Sequence, residues 1–226
     1  MRSVFAVAVL WIQFAVVGTA FSQSITDGVV ESRTPIDGKI HMVAGVGGAA
    51  LPLPEGVKPD LGDPFQALRY HGDSFGIRFP ERELVITRTE RCTLGMIHHT
   101  FEQVYLGVKV FSGVIKVHLS PDGTPRSING DFFRLPKKLS VTPSVSLDEA
   151  LVFAEAHLDQ HVLVQTSDAE LVIVNPGWWG DPFLPAPVLA HHLVVEGSGM
   201  LAEHVLIDAA SGDLLDHWPA VHSARF

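Results

Sequence analysis

From Gly95 to Asp131, apolar and polar residues alternate almost without a break, and glycines punctuate the run. In an extended chain successive side chains point to opposite faces, so Ile97, His99, Phe101, Gln103 and Tyr105 share one face and His98, Thr100, Glu102 and Val104 the other. The pattern predicts strands over 84–89, 97–105, 108–119 and 125–133, the last pair joined across Pro121-Asp122-Gly123. Ahead of them, Asp63-Pro64 offers an N-cap and a proline at the first helical position. Phe65, Leu68 and Arg69 follow at helical spacing, predicting a short helix that ends near Gly72 or Gly76. One helix before an antiparallel sheet is an α+β pattern.

The second half repeats that plan. After the proline-marked joint Leu135-Pro136-Lys137-Lys138, Ser146 and Glu149 form a capping box, and Leu147, Ala150, Leu151, Ala154 and Leu158 recur at helical spacing as one apolar stripe. Strands are expected over 170–175, 188–196, 202–208 and 214–218. Before the first unit, residues 23–59 are rich in Gly, Pro and small residues. They read as a flexible leader with room for one short strand near 39–43.

Residues 1–22 combine Arg2, an apolar run broken only by Gln13, and the small residues Gly18, Thr19, Ala20 and Ser22. That is a secretory signal pattern, with cleavage expected after Ala20 or Ser22, and an uncleaved anchor as the competing reading. The organisation expected is a signal peptide at 1–22, the leader at 23–59, one unit at 60–136, a second at 137–222 and a short linker at 223–226. Formal net charge is −9, and removal of Arg2 with the signal makes the chain more acidic still. An acidic chain with dispersed Lys and Arg does not suit nucleic acid or anionic membrane surfaces. The single cysteine, Cys92, excludes an intrachain disulfide and reads as a small strand residue.

No motif carries catalysis. His157 and His161 have the i, i+4 spacing of a helical metal pair, but the intervening glutamate of a zinc protease is missing, so a solvated helix face is the plainer reading. His98-His99 and His191-His192 are adjacent on strands, so neither pair chelates as a unit. Gly72-Asp73-Ser74-Phe75-Gly76 matches Gly-x-Ser-x-Gly with its context reversed, helix before and extended chain after. Gly45-Val46-Gly47-Gly48-Ala49-Ala50 fits a loose dinucleotide fingerprint, but Leu51-Pro52-Leu53-Pro54 stands where its helix must begin. Asn129 and Asn175 lack a Ser or Thr two places on, so there is no glycosylation acceptor. Trp178 and Trp179 lie in a turn-rich loop, either as a partner surface or folded back over a sheet edge.

Two strings carry a resemblance. His98, Phe101, Gln103, Tyr105, Gly107 and Val110, with Asp122-Gly123 in the following turn, resemble the fungalysin/thermolysin propeptide motif; Glu102 and Thr100 depart from its usual glutamine and arginine. Asp208, Ala209 and Gly212, within Ile207-Asp208-Ala209-Ala210-Ser211-Gly212-Asp213-Leu214, resemble the closing string of a PepSY domain, with Ser211 in place of threonine. The resemblance implies two cystatin-like α+β units, each one helix packed on an antiparallel sheet. It further implies a secreted propeptide that assists folding of a thermolysin-like metalloprotease catalytic domain and blocks its cleft, with no cofactor and no catalysis of its own. The chain would then be an orphan inhibitor and chaperone, or a truncated gene product. The alternatives are a secreted protein- or cell-wall-binding module and, more remotely, a metal-dependent hydrolase using scattered histidines.

Overall fold

The alternating run folds as a hairpin closed by Leu106-Gly107, whose φ values of 50° and 85° are both left-handed, the geometry that matches the right-handed twist of the flanking strands. The computed structural model describes residues 22–34, 38–157, 165–179, 186–196 and 202–220, with only the backbone at 165–167 and 179. The expected signal segment up to residue 21, His161 and the linker at 223–226 lie outside these residues. Among the described residues eleven strands are present: β1 (Ser22–Thr26), β2 (Val29–Arg33), β3 (Ile40–Gly45), β4 (Leu84–Arg91), β5 (Ile97–Tyr105), β6 (Val108–Leu119), β7 (Pro125–Gly130), β8 (Gln165–Val174), β9 (Val188–Glu196), β10 (Glu203–Asp208) and β11 (Leu214–Pro219). The helices are α1 (Gln66–His71), α2 (Pro80–Glu83) and α3 (Leu147–His157).

All eleven strands join one sheet, in place of two separate ones. Its main path runs β1-β2-β3-β7-β6-β8-β9-β10-β11, and β4 and β5 hang from the other edge of β6. The halves meet where the start of β6 pairs in parallel with β8, Lys109 opposite Val172 and Val110 opposite Ile173. The end of β6 pairs instead with β7, through Ile115 to Leu119. A twelve-residue strand therefore spans both halves. The α+β class stands, with strands predominating.

The flexible leader is corrected in its first part. Asp27-Gly28, with φ values of 50° and 80°, closes β1 and β2 into a hairpin of the same type as Leu106-Gly107. β3 then pairs with β7 through Met42, Val43 and Ala44. Val43 is fully buried, so the expected short strand near residue 43 contributes to the core. Other boundaries moved as well. Residues 77–80 are expected to be extended or turning, but Pro80 instead opens α2, at the position where a missing N–H costs nothing. β7 stops at Gly130, whose carbon-bearing equivalent would place Cβ 2.0 Å from the Val114 carbonyl oxygen. Beyond it Asp131 N–H donates to that carbonyl and the chain leaves the sheet.

In the first half Leu51, Ala67, Leu68, Phe75 and Ile77 cover Phe101, Ile115, Val117 and Ile128. In the second, Ala150 and Ala154 of α3 lie on Leu193, Val195, Val205 and Ile207; two alanines allow the helix to approach the sheet closely. The capping box forms, with Ser146 N–H donating to Glu149 Oε2 at 2.8 Å and Glu149 N–H to Ser146 Oγ at 3.3 Å. Between the two cores, Val110, Phe133, Ile173, Leu189 and Ala209 make a third cluster at the seam. No helix among the described residues is long and apolar enough to cross a membrane.

Candidate functional site

Gln103 lies on the buried face of β5 and is 2% exposed, which requires its amide to find partners. It finds both on one residue. Its Nε2–H donates to the Phe133 carbonyl at 2.7 Å, and its Oε1 accepts from the Phe133 N–H at 2.9 Å. The side chain thus replaces a neighbouring strand for one residue of the connecting segment. Room for it comes from a large bulge in β6: Glu102 faces Val114 and Val104 faces Lys109, so Gln103 alone opposes residues 110–113. Ser112 holds φ at 61° there, and a Cβ on Gly113 would lie 2.8 Å from both Cβ and Oε1 of Gln103.

Tyr105, two residues on, holds the same segment further along. Its hydroxyl donates to the Lys137 carbonyl at 3.1 Å and accepts from the Leu139 N–H at 3.4 Å. Phe101 fills the first core, its ring 5.1 Å from that of Phe65, and Val110 is fully buried at the seam. In the β6–β7 turn, Asp122 Oδ1 accepts from Thr124 N–H, and Gly123 takes φ 87°. The Thr124 amide hydrogen bond holds the Asp122 carboxyl below the usual carboxylate range.

The second string also builds a joint. Asp208 Oδ1 accepts from the N–H groups of Ala210 and Ser211 at 2.7 and 3.1 Å, an Asx turn. The Ala209 carbonyl accepts from Ser144 and Val145 N–H at 2.8 and 2.9 Å, tying down the approach to α3. Gly212 has φ 81° and sits against Phe153, where a Cβ would meet the ring at 2.5 Å. Trp178 stacks on Phe133 with centroids 3.9 Å apart and planes 12° from parallel. This places Trp178 against the joint; the Trp179 side chain is not among those described.

The run from α2 through β7 is where a known family matches. Residues 82–132 match the family model described as the Fungalysin/Thermolysin Propeptide Motif. Among solved structures, the Bacillus megaterium YpeB C-terminal domain is similar, at 16% identity over 84% of this chain and 76% of that chain, with a TM-score of 0.40. No curated protein is detectably similar in sequence. Within the propeptide motif, then, Phe101, Gln103 and Val110 point inward, and Gln103 and Tyr105 grip the segment joining the halves.

His98 of the propeptide motif faces the other way. Its Nδ1 lies 2.6 Å from Nδ1 of His118, whose Nε2 lies 2.7 Å from Asn129 Oδ1. On the same β5 register His99 turns inward, 5% exposed, with Nδ1 bonded to Thr89 Oγ1 at 2.9 Å and Nε2 unpartnered. Burial first, and the neighbouring His98 second, hold His99 below its ordinary value. His191 and His192 divide in the same way. His191 Nε2–H donates to the Val145 carbonyl at 2.8 Å, while His192 contacts Glu170 at 3.2 Å and His204 at 2.9 Å. Adjacent histidines fall on opposite faces, as the pleat dictates. Among the described residues no three His, Cys, Asp or Glu side chains converge as metal ligands.

The local residue pattern held no signal for the cross-strand pairing of His98 with His118, because the β6 bulge sets that register. It held none for the double hydrogen bond of Gln103 either, although a glutamine on a strand face that Ile97 and Phe101 bury is itself a sign of a buried polar partner.

Proposed function

We propose that the chain is a secreted propeptide-type module that binds a thermolysin-like metalloprotease catalytic domain, assisting its folding and blocking its cleft. The units proposed are 60–136, of fungalysin/thermolysin propeptide type, and 137–222, a PepSY-like unit, each a cystatin-like helix-on-sheet arrangement. The observation that carries this reading is the propeptide motif over residues 82–132. The geometry supports it in a further way. Gln103 and Tyr105 fasten the connecting segment to β5, so the two halves present their surfaces in one arrangement before any partner arrives. A surface ordered in advance loses less conformational entropy on binding. The same preformed surface can stabilise a partner's folding transition state when the contacts it offers are native ones.

The test is refolding in trans. A thermolysin-type catalytic domain diluted from denaturant should regain activity in higher yield after brief incubation with the purified chain and its subsequent removal. Equal yield with and without the chain, together with independent migration of the two proteins on gel filtration, would overturn the reading.

A further inference from the structure

Each half of the sheet carries, on the face away from its helix, a chain of two imidazoles ending in an oxygen that can only accept. In the first half the chain crosses β5, β6 and β7 as His98, His118 and Asn129. In the second it crosses β10, β9 and β8 as His204, His192 and Glu170. The terminal acceptor fixes every proton in turn. Asn129 Oδ1 needs a hydrogen from His118 Nε2, so His118 Nδ1 is bare and His98 Nδ1 must donate to it. Glu170 needs a hydrogen from His192 Nδ1, so His192 Nε2 is bare and His204 Nδ1 donates. Each chain has room for one further proton, on the free Nε2 of His98 or His204. A second would have to enter the 2.6 Å or 2.9 Å gap between the rings, where the partner's hydrogen already points.

We propose that the two chains are acid-sensitive latches, each holding three strands together with one added proton or none and opening when a second enters. The groups facing them bear this out. Around His98 and His118 stand Glu90 on β4, engaged with Arg88 at 2.6 Å, then Thr100 and Glu102 on β5, Lys116 on β6 and Ser127 on β7. Around His192 and His204 stand Glu170 and Asp168 on β8, Lys109 of β6 at 3.5 Å from Glu170, and Asp216 and Trp218 on β11. Glu170 contacts both His192 and Lys109, and Lys109 also faces Glu102 at 3.7 Å, so the one carboxylate offsets only part of the repulsion between two imidazolium rings. Trp218 stacks on His204 at 5.1 Å, and Phe111 meets His192 edge-on at 5.1 Å, which limits water around the pair. Burial, with the neighbouring histidine also contributing, holds His118 and His204 below their ordinary values. With ring centroids 4.9 and 5.1 Å apart, two charges in this half-buried setting repel strongly enough to separate the two protonations by about one to two pH units. The latches belong to the chain alone and stand whether or not a protease is its partner.

Long-range proton–nitrogen correlation spectra of the full, nitrogen-15-labelled chain test this directly. At pH 7.5 the expected pattern is Nδ1–H on His98, His192 and His204 and Nε2–H on His118. On acidification each pair should then titrate in two steps at least about one pH unit apart. Nε2–H on His98 and His204, or four rings titrating independently, would overturn the proposal. A second measurement uses thermal unfolding: the melting temperature should fall by about 4 °C or more from pH 7 to pH 5, and His98→Gln/His204→Gln should lose at least half of that fall. An unchanged slope in the variant would likewise overturn it, and should the variant not fold, the spectra of the unsubstituted chain decide.

Discussion

Replacing Gln103 by methionine keeps the length and bulk of the side chain but removes both hydrogen bonds to Phe133. The Phe133 N–H and carbonyl are then left without partners in a place where Phe133 is 7% exposed. A buried backbone group left unsatisfied costs about 1–3 kcal/mol, so two cost about 2–6 kcal/mol, and the apolar thioether returns a part of this. The expected net loss is about 2–5 kcal/mol, a large share of a typical domain's stability. Urea unfolding followed by tryptophan fluorescence measures it, and Trp178, stacked 3.9 Å from Phe133, reports the joint itself. Thr100→Ala, on the opposite face of the same strand, serves as control and should change stability by no more than about 0.5 kcal/mol. The clamp also predicts a coupling. Gly113→Ala places a Cβ 2.8 Å from both Cβ and Oε1 of Gln103, so its cost should shrink by about 1 kcal/mol or more when Gln103 has already been cut to glycine, which lacks both atoms. A Gln103→Met protein within about 0.5 kcal/mol of the original, or additive Gly113 and Gln103 effects, would refute the reasoning.

Other consequences follow from the same geometry. Gly212→Ala combines a left-handed φ of 81° with a clash against Phe153 and should cost about 2 kcal/mol or more in chemical denaturation. Ser146→Ala removes the cap of α3 and should lower the melting temperature by about 2–4 °C. Stability should also fall with acid, because His71, His99, His118 and His204 are all held below their ordinary value of 6.5, burial being the first cause for each. The unfolded chain then binds protons that the folded one refuses, so this contribution is fully present above about pH 6.5 and is lost as pH falls below it. Asp122 and Glu149, lowered by hydrogen bonds from the backbone amides of Thr124 and Ser146, lose theirs only at more acidic pH. A melting temperature flat from pH 7.5 to pH 5 would contradict this ordering.

Local features were legible in the sequence. The β5–β6 hairpin, the Asp122-Gly123 turn, the Ser146/Glu149 box and the division of His98 from His99 each depend on residues a few places apart. What was not legible depends on distant chain. β1 and β2 carry their own signal, Asp27-Gly28, yet the surrounding Gly and Pro content pointed to a flexible leader; only the docking of β3 on β7 gives Val43 a place to bury. Nothing local marks β6 as a strand shared between halves, since its parallel partner β8 lies about sixty residues on. The candidate site divided along the same line. Gln103 and Tyr105 were identified as motif residues, but their roles required the bulge at residues 110–113, which shifts register between His98 and the rest of the hairpin.

The partnership proposed above is with a thermolysin-type catalytic domain. Its most direct test is the initial rate of peptide hydrolysis by such an enzyme as purified chain is titrated in at neutral pH. Turnover that falls saturably with chain concentration, and returns when the chain is removed, is the predicted result. Undiminished turnover at micromolar chain would rule that partnership out.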